Sequence, residues 1–187
     1  MQNLPNLLTL LRIAMIPAVY LTFYVPGHLG DWLALVIFSI AGFTDFFDGW
    51  LARKLDVQSS FGRMLDPIAD KLMVATCLML LVGFDIVNDW HMVAAVIILC
   101  REVLVSGLRE YLMELRVALP VSTLAKYKTT IQMVAIGFLL SDQAGETLLP
   151  GAYIIGLGLL WLAAILTLVT GYDYIRQGMK HADWSDK

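Results

Sequence analysis

Apolar residues along this 187-residue chain fall into six blocks, roughly 7–25, 32–51, 67–84, 91–109, 128–141 and 149–172, separated by short polar stretches. Most blocks approach the roughly 20 residues a helix needs to cross the hydrocarbon core of a bilayer. Turn-forming residues mark the breaks: Pro26-Gly27 after the first block, Asn88-Asp89 after the third, Gly145 and Pro150-Gly151 before the last. The pattern predicts an all-α chain of six transmembrane helices forming a single membrane domain over 1–187.

Composition supports the lipid setting. Hydrophobic residues make up 59% of the chain and the mean hydropathy is +0.73, more than a soluble domain of this length buries. The first block is too long for a secretory signal and lacks a small-residue cleavage site, so it reads as a retained span. Basic residues then set the orientation. Arg53, Lys54 and Arg63 lie between blocks two and three, Arg109, Arg116, Lys126 and Lys128 between four and five, and Arg176 and Lys180 in the tail. The other three connections hold no Lys or Arg, so both termini and both basic connections are expected in the cytoplasm. The net charge of −3 thus conceals a basic face suited to anionic head groups and phosphorylated substrates. Cys77 and Cys100, in apolar runs without CxxC spacing, read as small core residues. His28, His91 and His181 read as solvated, and Trp32, Trp90 and Trp184 as interfacial belt residues.

Against this background Asp45, Asp48, Asp66 and Asp70 stand out, flanking the connection between blocks two and three. A carboxylate within a span costs roughly 2.5 to 3.5 kcal/mol on insertion scales, so acids there need a use. Asp45 and Asp48 are three apart and Asp66 and Asp70 four apart, which puts each pair on one face of a helix. Four converging carboxylates repel unless divalent cations relieve the charge, and oxygen-only donors point to Mg²⁺ or Mn²⁺. Gly49, Ala52 and Gly62, lying between the pairs, allow close approach of a ligand or of another helix. Asp66 before Pro67 also reads as an ordinary helix start, with the aspartate as cap.

The run Asp45-x2-Asp48-Gly49-x2-Ala52-Arg53-x8-Gly62-x3-Asp66-x3-Asp70 resembles the signature of the CDP-alcohol phosphatidyltransferase family at every fixed position. Three further stretches resemble the phosphatidylglycerophosphate synthase branch, its enterobacterial members above all. These are Asn6, Thr9 and Arg12 near the start; Arg101-Glu102 through Ser106 to Glu110; and Val121-Ser122 through Lys126, Lys128, Thr129, Gln132 and Met133. The resemblance implies transfer of the phosphatidyl group from CDP-diacylglycerol to sn-glycerol 3-phosphate, at the cytoplasmic face of a bacterial inner membrane. It implies two metal ions on Asp45, Asp48, Asp66 and Asp70, with Asp70 also the general base. Asp48, Gly49, Ala52, Arg53 and Gly62 would line the nucleotide site. It further implies direct attack and a homodimer, with no nucleic-acid partner expected.

A phosphorylated acceptor needs cations, and Arg101, Arg109, Lys126 and Lys128 are the candidates. Arg101 is the hardest to dismiss, since a cation deep in a span normally pairs or contacts substrate. Lys126 and Lys128 point to different helix faces, so one of them is expected at the acceptor. Glu102 and Glu110 read equally as salt-bridge partners of these cations. Asn6, Thr9 and Arg12, three residues apart, give the first span a polar edge toward the site, although Arg12 snorkelling to head groups is the simpler reading. Within the family, inositol phosphate, serine or phosphatidylglycerol remain alternative acceptors. A cation transporter is the rival from another class, but neither half of the chain repeats the 44–71 stretch in the other.

Overall fold

The structure, a computed structural model, describes residues 4–55, 60–114 and 123–181, with side chains over 7–44, 65–113 and 123–176 and at 178 and 179. All regular structure among the described residues is helical. The elements are α1 (Leu4–Thr22), α2 (His28–Leu55), α3 (Ser60–Gly83), α4 (Met92–Glu114), α5 (Thr123–Leu140), α6 (Asp142–Leu148) and α7 (Ala152–His181), with a 3₁₀ turn, Asp89–His91, leading into α4. The long helices follow the apolar blocks in order, with ends displaced by several residues. Asp89–Met113 and Ala152–Arg176 are long and apolar enough to cross a membrane, and Leu7–Thr22 and His28–Thr44 are shorter apolar helices.

Helix α7 packs on α4 and α5, while α1 packs on α2 and α3. Leu78, Leu81, Ile98, Ile136, Leu139 and Leu160 fill the space between them and are fully buried. The outside is as apolar as the inside. Leu21, Phe43, Met79, Val103, Ile154 and Leu148 are between 62% and 75% exposed. A surface of that kind belongs in lipid rather than water, and the protein is a membrane protein.

At one end of the bundle the connections are held by polar contacts. Asp31 at the start of α2 accepts a hydrogen bond from the Ala144 N–H in α6 at 3.1 Å. Glu146 accepts from the N–H groups of Gly151 and Tyr153 at 2.7 and 3.1 Å, which caps the first turn of α7 with a carboxylate. The Tyr153 hydroxyl donates to the Ile86 carbonyl at 3.0 Å and ties α7 to the α3–α4 connection. Two glycines are sterically required here. A Cβ on Gly30 would lie 2.4 Å from the Val25 carbonyl oxygen, and one on Gly145 would lie 2.0 Å from Ser141 Oγ.

Several sequence expectations change. Helix α3 begins at Ser60, so Pro67 is internal and Asp66 is no helix cap. Pro67 offers no N–H to the preceding turn, and α3 nonetheless runs on to Gly83. Helix α6 occupies a stretch read as a turn. His91 is only half-buried in solvent terms and accepts a hydrogen bond from Trp161 Nε1 at 3.0 Å, because the 3₁₀ turn folds back against α7. Cys77 is in the core as expected, whereas Cys100 is exposed on α4.

Candidate active site

A second polar level crosses the bundle near its opposite end, and five helices contribute to it. From α1, Thr9 and Arg12 are buried at 0% and 2% exposure, on the face that α1 turns to α2 and α3. Thr9 donates its hydroxyl to Asp66 Oδ1 on α3 at 2.5 Å. One turn further along α3, Asp70 lines a cavity together with Arg12. Burial overturns the snorkelling reading of Arg12: the guanidinium is directed into the protein.

From α4 and α5 come two cations that share one carboxylate oxygen. Arg101 Nη1 lies 3.2 Å from Glu102 Oε1, and Lys128 Nζ is bonded to that same oxygen. Lys128 is 2% exposed, an environment that an ammonium group accepts only when paired. The charges of Arg101 and Asp70 also act on Lys128, so Asp70 on α3 and the α4–α5 cations share one electrostatic neighbourhood. Helix α7 closes the far side. Thr170 Oγ1 accepts from Arg101 Nη2 at 3.1 Å, and the Tyr174 ring centroid lies 5.6 Å from the Arg101 guanidinium carbon. Gly171 lets the Arg101 stem lie flat, since a Cβ there would approach Arg101 Cγ to 3.1 Å.

A cavity of about 830 Å³ runs from Asp70 and Arg12 between α2 and α5 to Leu148 and Leu149 beside α6. Its walls are mostly apolar, among them Leu35, Phe38, Met133 and Phe138. Phe43, Val134, Leu148 and Leu149 are exposed as well as lining it, so it opens sideways onto the outer surface as a groove. From Thr130 on α5 to Ser141 at the junction with α6 it extends for about 16 Å at 1.5 Å per residue, roughly half the thickness of a hydrocarbon core.

The expected site residues divide in three. Thr9 pairs with Asp66, Arg12 and Asp70 line the same cavity, and Arg101 and Lys128 share Glu102. Arg109 and Lys126 are exposed, and the Glu102 network does not reach them among the described residues. Asp45, Asp48, Gly49, Ala52 and Arg53 are in α2, Gly62 in α3 and Asn6 in α1, but their side chains lie outside the described residues. Accordingly, no group of three or more His, Cys, Asp or Glu side chains that could hold a metal is found among the described residues. The sequence reading assigned no role to α7. Its polar stripe, Thr167, Thr170 and Tyr174 at helical spacing in an apolar run, was the available signal.

Partly buried carboxylates beside buried cations in an apolar bundle, with a groove opening onto its apolar surface, define a membrane enzyme that handles charged, lipid-linked groups. The chain belongs to the CDP-alcohol phosphatidyltransferase family, whose sequence model matches residues 2–169. It is 46% identical over 180 residues to the CDP-diacylglycerol–glycerol-3-phosphate 3-phosphatidyltransferase of Rickettsia bellii (strain RML369-C), covering 96% of this chain and 97% of that protein. Proteins of the same name from Cereibacter sphaeroides (39% over 213 residues; 96% of both chains) and Shigella flexneri serotype 5b (40% over 177 residues; 92% and 93%) are also similar.

Proposed function

We propose that this protein transfers the phosphatidyl group of CDP-diacylglycerol to sn-glycerol 3-phosphate, giving phosphatidylglycerophosphate and CMP. The relatives that bear this activity in their names match nearly the whole chain. The structural observation that carries the reading is Asp70, which lines the lipid-facing groove while its charge acts on Lys128 of the Arg101–Glu102–Lys128 cluster.

Asp66 and Asp70, one helical turn apart and supplying only oxygen, suit Mg²⁺ or Mn²⁺, and Thr9 orients the first of them. With Asp45 and Asp48 they would hold two such ions, which when bound neutralise the diphosphate and the departing CMP. The protein's own groups do the rest. Asp48, Gly49, Ala52, Arg53 and Gly62 form the nucleotide site. Arg101 and Lys128 hold the acceptor phosphate by charge-assisted hydrogen bonds, with Arg109 and Lys126 at the entrance. The free primary hydroxyl of the acceptor attacks the lipid-side phosphorus. A new P–O bond forms, the P–O bond to CMP breaks with its electron pair leaving on CMP, and Asp70 takes the hydroxyl proton. The acyl chains lie in the groove between α2 and α5. The six long helices are six spans with both termini and the site on the cytoplasmic side of the inner membrane, as the Lys and Arg distribution supports. The chain is one domain and works as a homodimer.

The test is an acceptor panel. Purified protein with Mg²⁺ is expected to release CMP from CDP-diacylglycerol only when sn-glycerol 3-phosphate is supplied. Equal release with inositol phosphate, serine or phosphatidylglycerol would refute the assignment of the acceptor.

A further inference from the structure

Glu102 occupies a position that the transfer reaction itself does not require. It neither faces the groove nor belongs to the aspartate set, yet one of its oxygens joins the buried Lys128 to the partly buried Arg101. Two cations so close repel, and each has a flexible stem of several rotatable bonds. Left alone, the guanidinium and the ammonium would move apart. The carboxylate holds them together instead, leaving a net charge of about +1 on the three side chains. Arg101 is fixed at a second point by Thr170 and at a third by the face of Tyr174. Its Nε is buried and has no partner among the described residues, so the anchored guanidinium keeps donor capacity that the protein does not use. Lys128 likewise has three donors, of which one suffices for Glu102.

From this geometry we infer that Glu102 is a positioning residue for acceptor selection, which acts by locking Arg101 and Lys128 into a preformed clamp for a phosphate monoester. The inference rests on the reading that these two cations receive the acceptor phosphate. A preformed clamp binds its anion without first ordering two long side chains, so loss of the lock weakens binding of the phosphorylated acceptor. It leaves the lipid-nucleotide substrate alone, because that substrate is held elsewhere. Glu102 does not touch either substrate in this scheme.

The experiment measures CMP release by full-length protein in lipid–detergent micelles, varying each substrate in turn, for wild type, Glu102→Gln, Glu102→Asp, Lys128→Met and the Glu102→Gln/Lys128→Met double variant. Glu102→Gln is expected to raise KM for sn-glycerol 3-phosphate about tenfold, the effect of one disordered charge-assisted contact, with KM for CDP-diacylglycerol within about twofold. Glu102→Asp keeps the charge and is expected to restore most of the affinity. The double variant is expected to be no weaker toward the acceptor than Lys128→Met alone, since both changes break one unit. An unchanged acceptor KM in Glu102→Gln, beside a raised one in Lys128→Met, overturns the inference and leaves the acceptor pocket standing. An unchanged acceptor KM in Lys128→Met removes the pocket and the inference together. Equal rises for both substrates would mark Glu102 as merely structural. If Glu102→Gln does not fold, Glu102→Ala takes its place under the same criteria: a raised acceptor KM alone supports the charge lock, and an unchanged acceptor KM or equal rises for both substrates overturn it.

Discussion

Thr9 on α1 donates its hydroxyl to the Asp66 carboxylate on α3 at 2.5 Å, so the first helix fixes the orientation of an aspartate 57 residues away. A carboxylate that binds a cation depends on such a neighbour, and removing one typically lowers metal affinity about 10- to 100-fold. Thr9→Val keeps the shape and loses the donor. Its Mg²⁺ requirement, read as the concentration giving half-maximal CMP release, is expected to rise about tenfold or more. Thr9→Ser should stay near wild type. An unshifted Mg²⁺ titration in Thr9→Val would separate Asp66 from the metal site.

Asp70 lines the cavity, and its charge also acts on Lys128. Asp70→Asn preserves volume and removes the acceptor of the hydroxyl proton. We expect kcat to fall by about 10²- to 10⁴-fold, the usual contribution of a general base, while KM for CDP-diacylglycerol changes little. Single-turnover and steady-state assays on the same preparation measure both quantities. Retention of full turnover would exclude Asp70 as the base.

The legible part of this protein was the part written in short-range pattern. Blocks of apolar residues announced the long helices, and the i, i+4 spacing of Asp66 and Asp70 announced a shared face. What escaped depended on contacts between distant segments. Arg12 looked like a residue free to reach head groups, yet α2 and α3 bury it. Lys126 and Lys128 were equal candidates until the packing of α5 against α7, α2 and α3 buried Lys128 and left Lys126 exposed. The contribution of α7 was hidden because Thr170, Gly171 and Tyr174 are unremarkable in a span until Arg101, 69 residues earlier than Thr170, is laid against them. Helix α6 was missed because Gly145 signals a turn in isolation, whereas here it is the only residue small enough to pass Ser141.

At the other end of the bundle, burial and then the neighbouring Asp31 carboxylate raise the Asp142 carboxyl above its ordinary 3.8, outweighing the Gln143 N–H that lowers it. The unfolded chain releases this proton near 3.8 and the folded protein only at higher pH. Folding therefore loses stability as pH rises across that interval, and the penalty is complete at neutral pH. Asp142→Asn removes the charge and suits the backbone, whose φ of +35° is one that Asn tolerates well. Thermal unfolding in detergent is expected to show the variant more stable than wild type at pH 7, with the gap closing as pH falls toward 4. A gap that widens on acidification contradicts the sign of the shift.

Val134 is 44% exposed on α5 and forms part of the groove wall, six residues beyond Lys128, or about 9 Å along the helix. A tryptophan there would fill the groove at that depth without crowding the core, because the position already borders lipid. With the acyl chains placed in the groove as proposed, a dihexanoyl chain would end short of this point, whereas a dioleoyl chain would pass it. Val134→Trp is therefore expected to lower kcat/KM for dioleoyl CDP-diacylglycerol about tenfold, the effect of a lost hydrophobic contact of roughly 1.4 kcal/mol, with little change for the dihexanoyl form. Ile165→Trp, at an exposed position on α7 away from the groove, provides the control and should alter neither. Equal losses for both chain lengths would show that the acyl chains do not run between α2 and α5, and the groove would then have to be assigned to something other than the lipid substrate.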